Sequence, residues 1–359
     1  MGMNHDIKKT GITLLLISLI SGAAAGIIGA IATESYLDRY ADALSSGSTP
    51  PRLGDERSRT SSGSYEESLK RAHERLLPST VVWHRRLPET ASAVRGSYAP
   101  EDAIGAGVVV SSDGWVLTSA EVFSVAQVGQ MTAVIGGRVY DALEAKADTG
   151  TDALLVKIDG VNLTAVSFGD DGKLSSGDRV FAADGNTRLA PGIVLGFSET
   201  DLVTTSEALD VFMDLDLPRA VAAGSPVANA LGELVGFVRE DGSLRPLSFV
   251  LPAVLQALRG EEIVRARLGV EVVPLDRAVG HEAYGAGALI VERPAAGTPA
   301  RLAELEEGDV IMRAGGRDVG GTDTLARILL DTKHGDILTL TVKRGAETFD
   351  VDVALDARK

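Results

Sequence analysis

Beyond Pro78 the chain repeatedly offers a few β-branched or aromatic residues and then breaks on Gly or Asp, and this punctuation limits the fold more than any other feature. The runs fall at 79–85, 107–110, 115–118, 131–135, 153–158, 179–182, 192–197, 211–215 and 234–238. Each is short for a helix, and β-branched side chains pack well on a pleated surface. Asp113-Gly114, between two of them, is a two-residue hairpin signal because both residue types tolerate positive φ. Many short strands with turns between them and few helices predict a barrel or a sandwich, a mainly β fold. Such a fold must be held by its core, because the chain has 0 Cys. That count excludes disulfides, thiolate metal sites, iron–sulfur clusters and cysteine nucleophiles. Apolar residues form 45% of the 359 positions, enough for a sizeable interior, and the length allows about two domains. Lys plus Arg number 35 against 50 Asp plus Glu, a net charge of −15, with no basic run to offset it. That balance repels phosphate backbones and argues against nucleic acid as a partner.

The first 64 residues are of a different kind. Residues 11–33 carry no charge, follow Lys8 and Lys9, and precede Glu34, Asp38 and Arg39. As a helix, that run would span a bilayer core of about 30 Å, and the flanking lysines would keep the N-terminus cytoplasmic. The expectation is a cytoplasmic tail and transmembrane helix at 1–35, with a cleaved signal peptide as the competing reading; either exports the remainder. Gly22 and Gly26 form a small-residue pair of the kind that lets two membrane helices approach. Residues 36–64, rich in Ser, Gly, Pro and mixed charge, read as a flexible linker. Ser64 and Glu67 then form a capping-box pattern that opens a helix through Leu77. Leu69, Ala72, Leu76 and Leu77 share one face of it.

Within the β-rich region the stretch 105–123, GAGVVVSSDGWVLTSAEVF, resembles the segment around the catalytic histidine of HtrA/DegP-type proteases, the trypsin-like serine proteases of the bacterial envelope. Residues 151–158 resemble their catalytic-aspartate strand, 174–180 and 192–194 the beginning of their second barrel, and 223–237 the nucleophile loop with its following strand. The resemblance implies a trypsin-like double β-barrel over 65–260. Laid on that pattern, the family's histidine falls on Glu121, its aspartate on Asp152, its serine on Ala223, and the glycine two residues before the serine on Val221.

Those replacements remove the chemistry. A serine hydroxyl must lose its proton to a neighbouring imidazole that a carboxylate orients. Alanine offers no nucleophile, and a carboxylate facing a carboxylate has nothing to relay. Such a pair repels, so one member is protonated or held by a cation. Loss of a triad costs about a million-fold in turnover. Val221 adds a Cβ where the family's oxyanion loop turns on glycine. Rescue would require Ser225 as a displaced nucleophile with His84 as base, or Glu121 with Asp152 as an acid/base pair or a weak divalent-cation site. The plainer readings are a turn serine, a surface or barrel-end histidine, and an Asp152 that serves as a strand-end hydrogen-bond acceptor. Gly105 and Gly107 read as a strand-start pair rather than a phosphate loop, since no third glycine or βαβ unit follows.

Residues 251–259 predict a short amphipathic helix with Pro252 in its first turn, and Gly260 with Glu261 and Glu262 marks a boundary. The remainder, 261–359, resembles an α+β PDZ domain in the motifs 267–270 (RLGV), 287–291, 297–300 (GTPA) and 305–311 (LEEGDVI), with a helix at 322–330 and strands at 337–342 and 348–353. A PDZ groove adds an extended C-terminal peptide to a strand edge and holds its carboxylate on loop N–H groups. The resemblance puts Leu268 and Gly269 in that loop. Val270, Val272, Leu325, Ile328 and Leu329 would form the apolar pocket, and Arg267 either assists with the carboxylate or is a solvated strand-start residue. The competing reading is a groove occupied internally or unused. His281 and His334 have no partners at metal spacing.

Together these readings predict a single-pass, membrane-anchored HtrA-like pseudoprotease with its domains on the extracytoplasmic face. No cofactor and no metal are expected. Expected partners are C-terminal peptides or unfolded envelope proteins, and the resemblance implies a homotrimer or a mixed assembly with active HtrA-type proteases. The alternative is an active trypsin-like endopeptidase that uses non-standard residues.

Overall fold

The short runs, most of them buried along nearly their whole length, form two closed antiparallel barrels. The computed structural model describes residues 65–88, 97–148, 150–184, 188–199, 202–209, 211–217, 221–276, 278, 286–320 and 324–358. The expected anchor at 11–33, the linker and the Ser64 cap lie outside these residues, as does His281. Among the described residues no helix is long and apolar enough to cross a membrane.

The chain begins with helix α1 (Tyr65–Arg75), which buries Ser68 and Ala72, with Leu76 just beyond its end. The first barrel comprises β1 (Thr80–Arg85), β2 (Gly105–Val109), β3 (Trp115–Ser119), β4 (Met131–Ile135), β5 (Arg138–Asp148) and β6 (Ala153–Ile158), in the spatial order β1-β2-β3-β6-β5-β4. It closes because β1 pairs with both β2 and β4. Its core includes Trp83, whose ring meets Phe123 edge-on at 5.0 Å. The second barrel comprises β7 (Arg179–Ala183), β8 (Leu189–Glu199), β10 (Val211–Asp216), β11 (Pro226–Ala228), β12 (Leu234–Val238) and β13 (Leu244–Pro246), and closes through β8 and β10. A separate cluster seals the seam between the barrels with Leu76, Leu117, Leu155, Leu234, Phe237 and Val250.

Three details differ from the sequence expectation. The Asp113-Gly114 turn is the second half of a four-residue loop: Val110 N donates to Trp115 O at 2.8 Å, and the Ser111 hydroxyl accepts from Trp115 N at 3.1 Å. Strand β5 has no counterpart among the expected runs, because most of its residues are exposed or half-buried and no apolar run marks it. Helix α2 spans Leu247–Leu258, so Pro252 lies inside it rather than in its first turn. Burial of Leu247, Val250, Val254 and Ala257 along one face outweighs the cost of the missing donor, about 3 kcal/mol.

The C-terminal sheet is built from β15 (Glu271–Pro274), β16 (Ala288–Ile290), β17 (Val310–Ala314), β18 (Arg317–Asp318), β19 (Ile337–Arg344) and β20 (Glu347–Ala354). Strand β14 (Arg265–Arg267) pairs separately with β21 (Asp356–Arg358). Two short helices complete it: α3 (Pro299–Leu302), capped by Thr298, and α4 (Leu325–Leu330), capped by Thr324. The second helix therefore begins later than the expected 322–330. The outermost strand of this sheet comes from elsewhere. It is β9 (Thr204–Thr205), part of the connection between β8 and β10 of the second barrel.

One ion pair ties the C-terminal unit to the first barrel. Arg265 grips Asp148, at the end of β5, with two nitrogens, the Nε–Oδ1 distance being 2.7 Å, and also donates to Phe249 O at 2.9 Å. Burial alone would raise the Asp148 carboxyl, but Arg265, the Thr151 hydroxyl and the Gly150 amide hold it below its ordinary 3.8. A carboxyl depressed on folding contributes its full stability above the unfolded value and loses it as pH falls through the folded value. Arg265→Ala should therefore destabilise the chain by about 3–5 kcal/mol in urea denaturation at neutral pH, because it strands a buried charge. The stability gap between wild type and Asp148→Asn should close as pH falls below 3.8.

Candidate functional site

Asp148 also builds the turn that presents Asp152. Its carboxylate accepts from Gly150 N at 3.1 Å and from the Thr151 hydroxyl at 2.5 Å, and the chain then passes through Asp152 at φ 57°. Aspartate tolerates this left-handed conformation better than most residues. The Asp152 carbonyl accepts from Ala120 N at 2.7 Å, which brings the Ala120-Glu121 turn alongside. Glu121 Oε2 accepts from the Ser119 hydroxyl at 3.2 Å and from Glu240 N at 2.7 Å.

Two arginines enter this cleft from the second barrel. Arg239 Nη2 lies 3.5 Å from Glu121 Oε1, its Nε lies 3.5 Å from Asp152 Oδ2, and its Nη1 lies 2.7 Å from Asp241 Oδ2. Arg245, on β13 and 2% exposed, donates to Asp152 Oδ2 at 2.9 Å and to the Leu209 carbonyl. Both guanidinium carbons stand over the Phe212 ring, at 4.1 and 4.2 Å, where the π-face offsets part of the cost of removing them from water. Burial pushes the Asp241 carboxyl up, but the Ser243 hydroxyl and amide and both guanidiniums outweigh it and hold the value below the ordinary range. Three carboxylates thus meet two fixed cations. The cation between Glu121 and Asp152 is a guanidinium of the same chain, and among the described residues no cluster of His, Asp and Glu is arranged to hold a metal.

The loop carrying Ala223 packs tightly on β2. Ala106 N donates to Ala223 O at 3.0 Å, and Gly224 turns at φ 79° with an added Cβ only 2.1 Å from the Ala106 carbonyl, so no other residue fits there. Val221 is half-buried against the second barrel's core and is not among the described residues with positive φ, which outside glycine are Asp152, Asn162 and Glu304. Ser225 is fully buried and its hydroxyl has no hydrogen-bond partner among the described residues. His84 is buried in β1 rather than at the surface, its ring 5.2 Å from Tyr98. Burial lowers its pKa, with the Asp102 carbonyl and carboxylate partly opposing. Its Nδ1 is likewise without a partner, so the two residues considered as a displaced nucleophile and base are not bonded to each other through that atom.

In the C-terminal unit the expected groove is filled by the chain itself. Strand β9 pairs antiparallel with β15, Thr205 opposite Glu271 and Thr204 opposite Val272. Ser206 N donates to Val270 O at 2.8 Å, and Val270 N returns a bond to the Ser206 hydroxyl at 3.2 Å. Leu268 N and Gly269 N both donate to Glu207 Oε1, each at 2.8 Å. Gly269 turns at φ 79°, and an added Cβ would lie 2.7 Å from Thr298. Leu209 packs with Phe249 of α2 and Ala326 of α4.

Comparison with known proteins agrees with this architecture. Residues 105–237 match the trypsin-like peptidase domain and residues 266–355 the PDZ domain. The chain belongs to the HtrA type. It is 28% identical over 296 residues to a probable periplasmic serine endoprotease DegP-like of Pseudomonas putida strain F1, covering 77% of this chain and 61% of that one. It is also 28% identical over 285 residues to the serine protease Do-like HtrB of Bacillus subtilis strain 168, covering 69% and 61%. It thus spans 61% of the length of each of these relatives. Among solved structures, the HtrA-type protease AlgW with decapeptide superposes with a TM-score of 0.61 at 19% identity, over 81% of this chain and 99% of that one. The serine endoprotease from Yersinia pestis gives 0.56 at 19% identity, over 81% and 98%.

The structure brings Glu121 and Asp152 into one cleft, next to the second barrel's arginines. The residues assigned to the PDZ groove also converge: Leu268 and Gly269 form the N–H loop, while Val270, Val272, Leu325, Ile328 and Leu329 are all buried in the core beneath and beside it. Arg267 is neither free nor on the loop's carboxylate. It is bonded to Asp356 at 2.8 and 2.5 Å, and those bonds, with a weaker effect of the Glu207 charge, raise its pKa. His334 is exposed in a turn. Sequence reasoning missed Arg239, Arg245, Phe212 and Glu207. The one available signal was Arg245, a charge set between Leu244 and Pro246 in a run that had to be interior. Arg245→Met should cost about 1–3 kcal/mol in urea denaturation, since it leaves the Leu209 carbonyl and Asp152 without their donor. Arg239→Met removes a more exposed guanidinium, whose contacts to Glu121 and Asp152 are both 3.5 Å and whose 2.7 Å pair with Asp241 is solvent-facing, and should cost less, about 0–1 kcal/mol.

Proposed function

We propose that this HtrA-type chain works by binding and not by peptide-bond hydrolysis. Its place is the extracytoplasmic side of the cell envelope, as for the relatives named periplasmic, with the uncharged run at 11–33 as a single-pass anchor. There it captures C-terminal peptides or unfolded envelope proteins through the PDZ domain, or joins active HtrA-type proteases in a shared trimer and tunes them. The observation that carries this reading is Arg239, which spans Glu121 and Asp152, the residues on which the resemblance lays the family's base and its orienting carboxylate. A hydrolytic base there must accept a proton from a nucleophile. Here the neighbouring loop residue is Ala223, and both carboxylates already face a fixed cation.

The AlgW protease was solved with a decapeptide, and that complex supports a peptide-binding role for a chain of the same architecture. The full-length chain should leave casein intact and should not be labelled by a serine-directed fluorophosphonate, while still retaining unfolded casein on the protein. Ala223→Ser alone should remain at background, because Glu121 occupies the position on which the resemblance lays the family's imidazole, and turnover without a triad lies about a million-fold down. Casein cleavage by the wild-type chain that disappears in Asp152→Ala would overturn this reading.

A further inference from the structure

We infer that Thr204–Glu207 is a built-in ligand of the PDZ groove, and that the groove accepts an external peptide with a free C-terminal carboxylate only when this segment is displaced. The inference rests on the peptide-binding reading above and adds how that site is controlled. A PDZ ligand presents two things, an extended backbone to pair with a strand edge and a carboxylate for the loop N–H groups. The internal segment presents both. Its backbone pairs with β15 through Thr204 and Thr205 and with Val270 through Ser206, and the Glu207 side chain delivers a carboxylate to Leu268 N and Gly269 N. The γ-carboxylate of glutamate and the α-carboxylate of a chain terminus are the same planar anion, so the loop cannot tell them apart by hydrogen bonding. The Ser206 hydroxyl donates to the same Glu207 oxygen at 2.6 Å, completing a local cradle for the charge. Ser206 is 1% and Glu207 9% exposed, so a second carboxylate has no room beside the first.

The segment is held at both ends by the second barrel. Before it, β8 and β10 are joined by the Ser198 hydroxyl on Asp214 at 2.9 Å. After it, the Leu209 carbonyl is bonded to Arg245 and the Leu209 side chain is lodged against Ala326 of α4. A tethered ligand competes at a local concentration in about the millimolar range, so it keeps the groove filled even when its own contacts are modest. A free peptide therefore binds with an affinity reduced by the fraction of open groove. The ligand class follows from what the internal segment presents, a carboxylate for the loop and extended backbone for β15; the small cleft beside Glu207, between Leu209, Ala326 and Leu329 and edged by Gln256 and Arg265, leaves space for the apolar part of a terminal side chain.

The test uses the full-length chain and a fluorescein-labelled decapeptide with an apolar C-terminal residue, once with a free carboxylate and once amidated. Glu207→Ala should bind the free-carboxylate peptide about tenfold more tightly than wild type, or better, and the amidated peptide weakly. Glu207→Gln keeps an acceptor oxygen and the side-chain volume, so it should fall between the two and serves should the alanine variant fold poorly. Hydrogen exchange supplies a second readout. In wild type, saturating peptide should deprotect the Ser206 amide while Leu268 and Gly269 stay protected. Equal affinity in wild type and both variants, or peptide binding that leaves Ser206 protected, would overturn the built-in ligand and leave the peptide-binding reading standing. Binding by none of the three chains would overturn both.

Discussion

The buried pair between Asp148 and Arg265 is the contact on which the arrangement of both candidate sites depends. Asp148 is a single carboxylate with two duties: it closes the turn that holds Asp152 in a left-handed conformation, and it receives the guanidinium that begins the C-terminal unit. Two residues after Arg265 comes Arg267, and then the N–H loop of Leu268 and Gly269. The loop is therefore positioned from the first barrel, by one side chain, at the same point where the first barrel presents Asp152. Such a pair is a costly way to gain stability, since both ions must leave water. What it supplies here is register: a bidentate guanidinium fixes angle as well as distance.

At the cleft between the barrels, ion pairs of the same kind join the two halves. A triad needs groups that change charge during a reaction, and so a base whose pKa lies near the working pH. Arg239 and Arg245 do not change charge, and they lie against Glu121, Asp152 and Asp241 with the Phe212 ring behind them. Static ion pairs of this kind hold two barrels in one orientation. They also link the cleft to the groove, because Arg245 joins Asp152 to the backbone at Leu209, two residues past Glu207.

The barrels and the PDZ unit were legible in the sequence because their strands are marked by local apolar runs, and 131–135, 153–158 and 234–238 coincide with strands residue for residue. Strand β5 was not, since it lies with most side chains in solvent and carries Glu, Lys and Ala where a core strand would carry Val and Ile. The start of helix α2 is hidden because Pro252 reads as a first-turn residue, and only the seam between the barrels explains its place mid-helix. The assignment of Glu121, Asp152 and Ala223 to the triad positions comes from the resemblance of motifs alone. The arginines that occupy the cleft could not be read that way, because they come from β13 and from the turn after β12, far along the chain from Glu121. Glu207 was invisible for a deeper reason. Nothing in Thr-Thr-Ser-Glu distinguishes a loop from a ligand until the loop is seen lying on another strand's edge.

On the binding reading proposed above, the chain has no catalytic reason to keep two intact barrels, yet both are closed. The geometry offers a mechanical reason. A segment can serve as its own domain's ligand only if its ends are held so that it reaches the groove without wandering, and a closed barrel holds the ends of a β-hairpin rigidly. Strands β8 and β10 do this for the stretch around Thr204, while α2, packed in the seam, carries Phe249 against Leu209 and Arg327. On this view the second barrel is an anchor for a strand that works in the neighbouring domain, and the cleft between the barrels is one of its fastenings. Lifting Thr204–Glu207 from β15 would pull on Leu209, whose carbonyl is held by Arg245, and Arg245 is in turn bonded to Asp152 in the cleft.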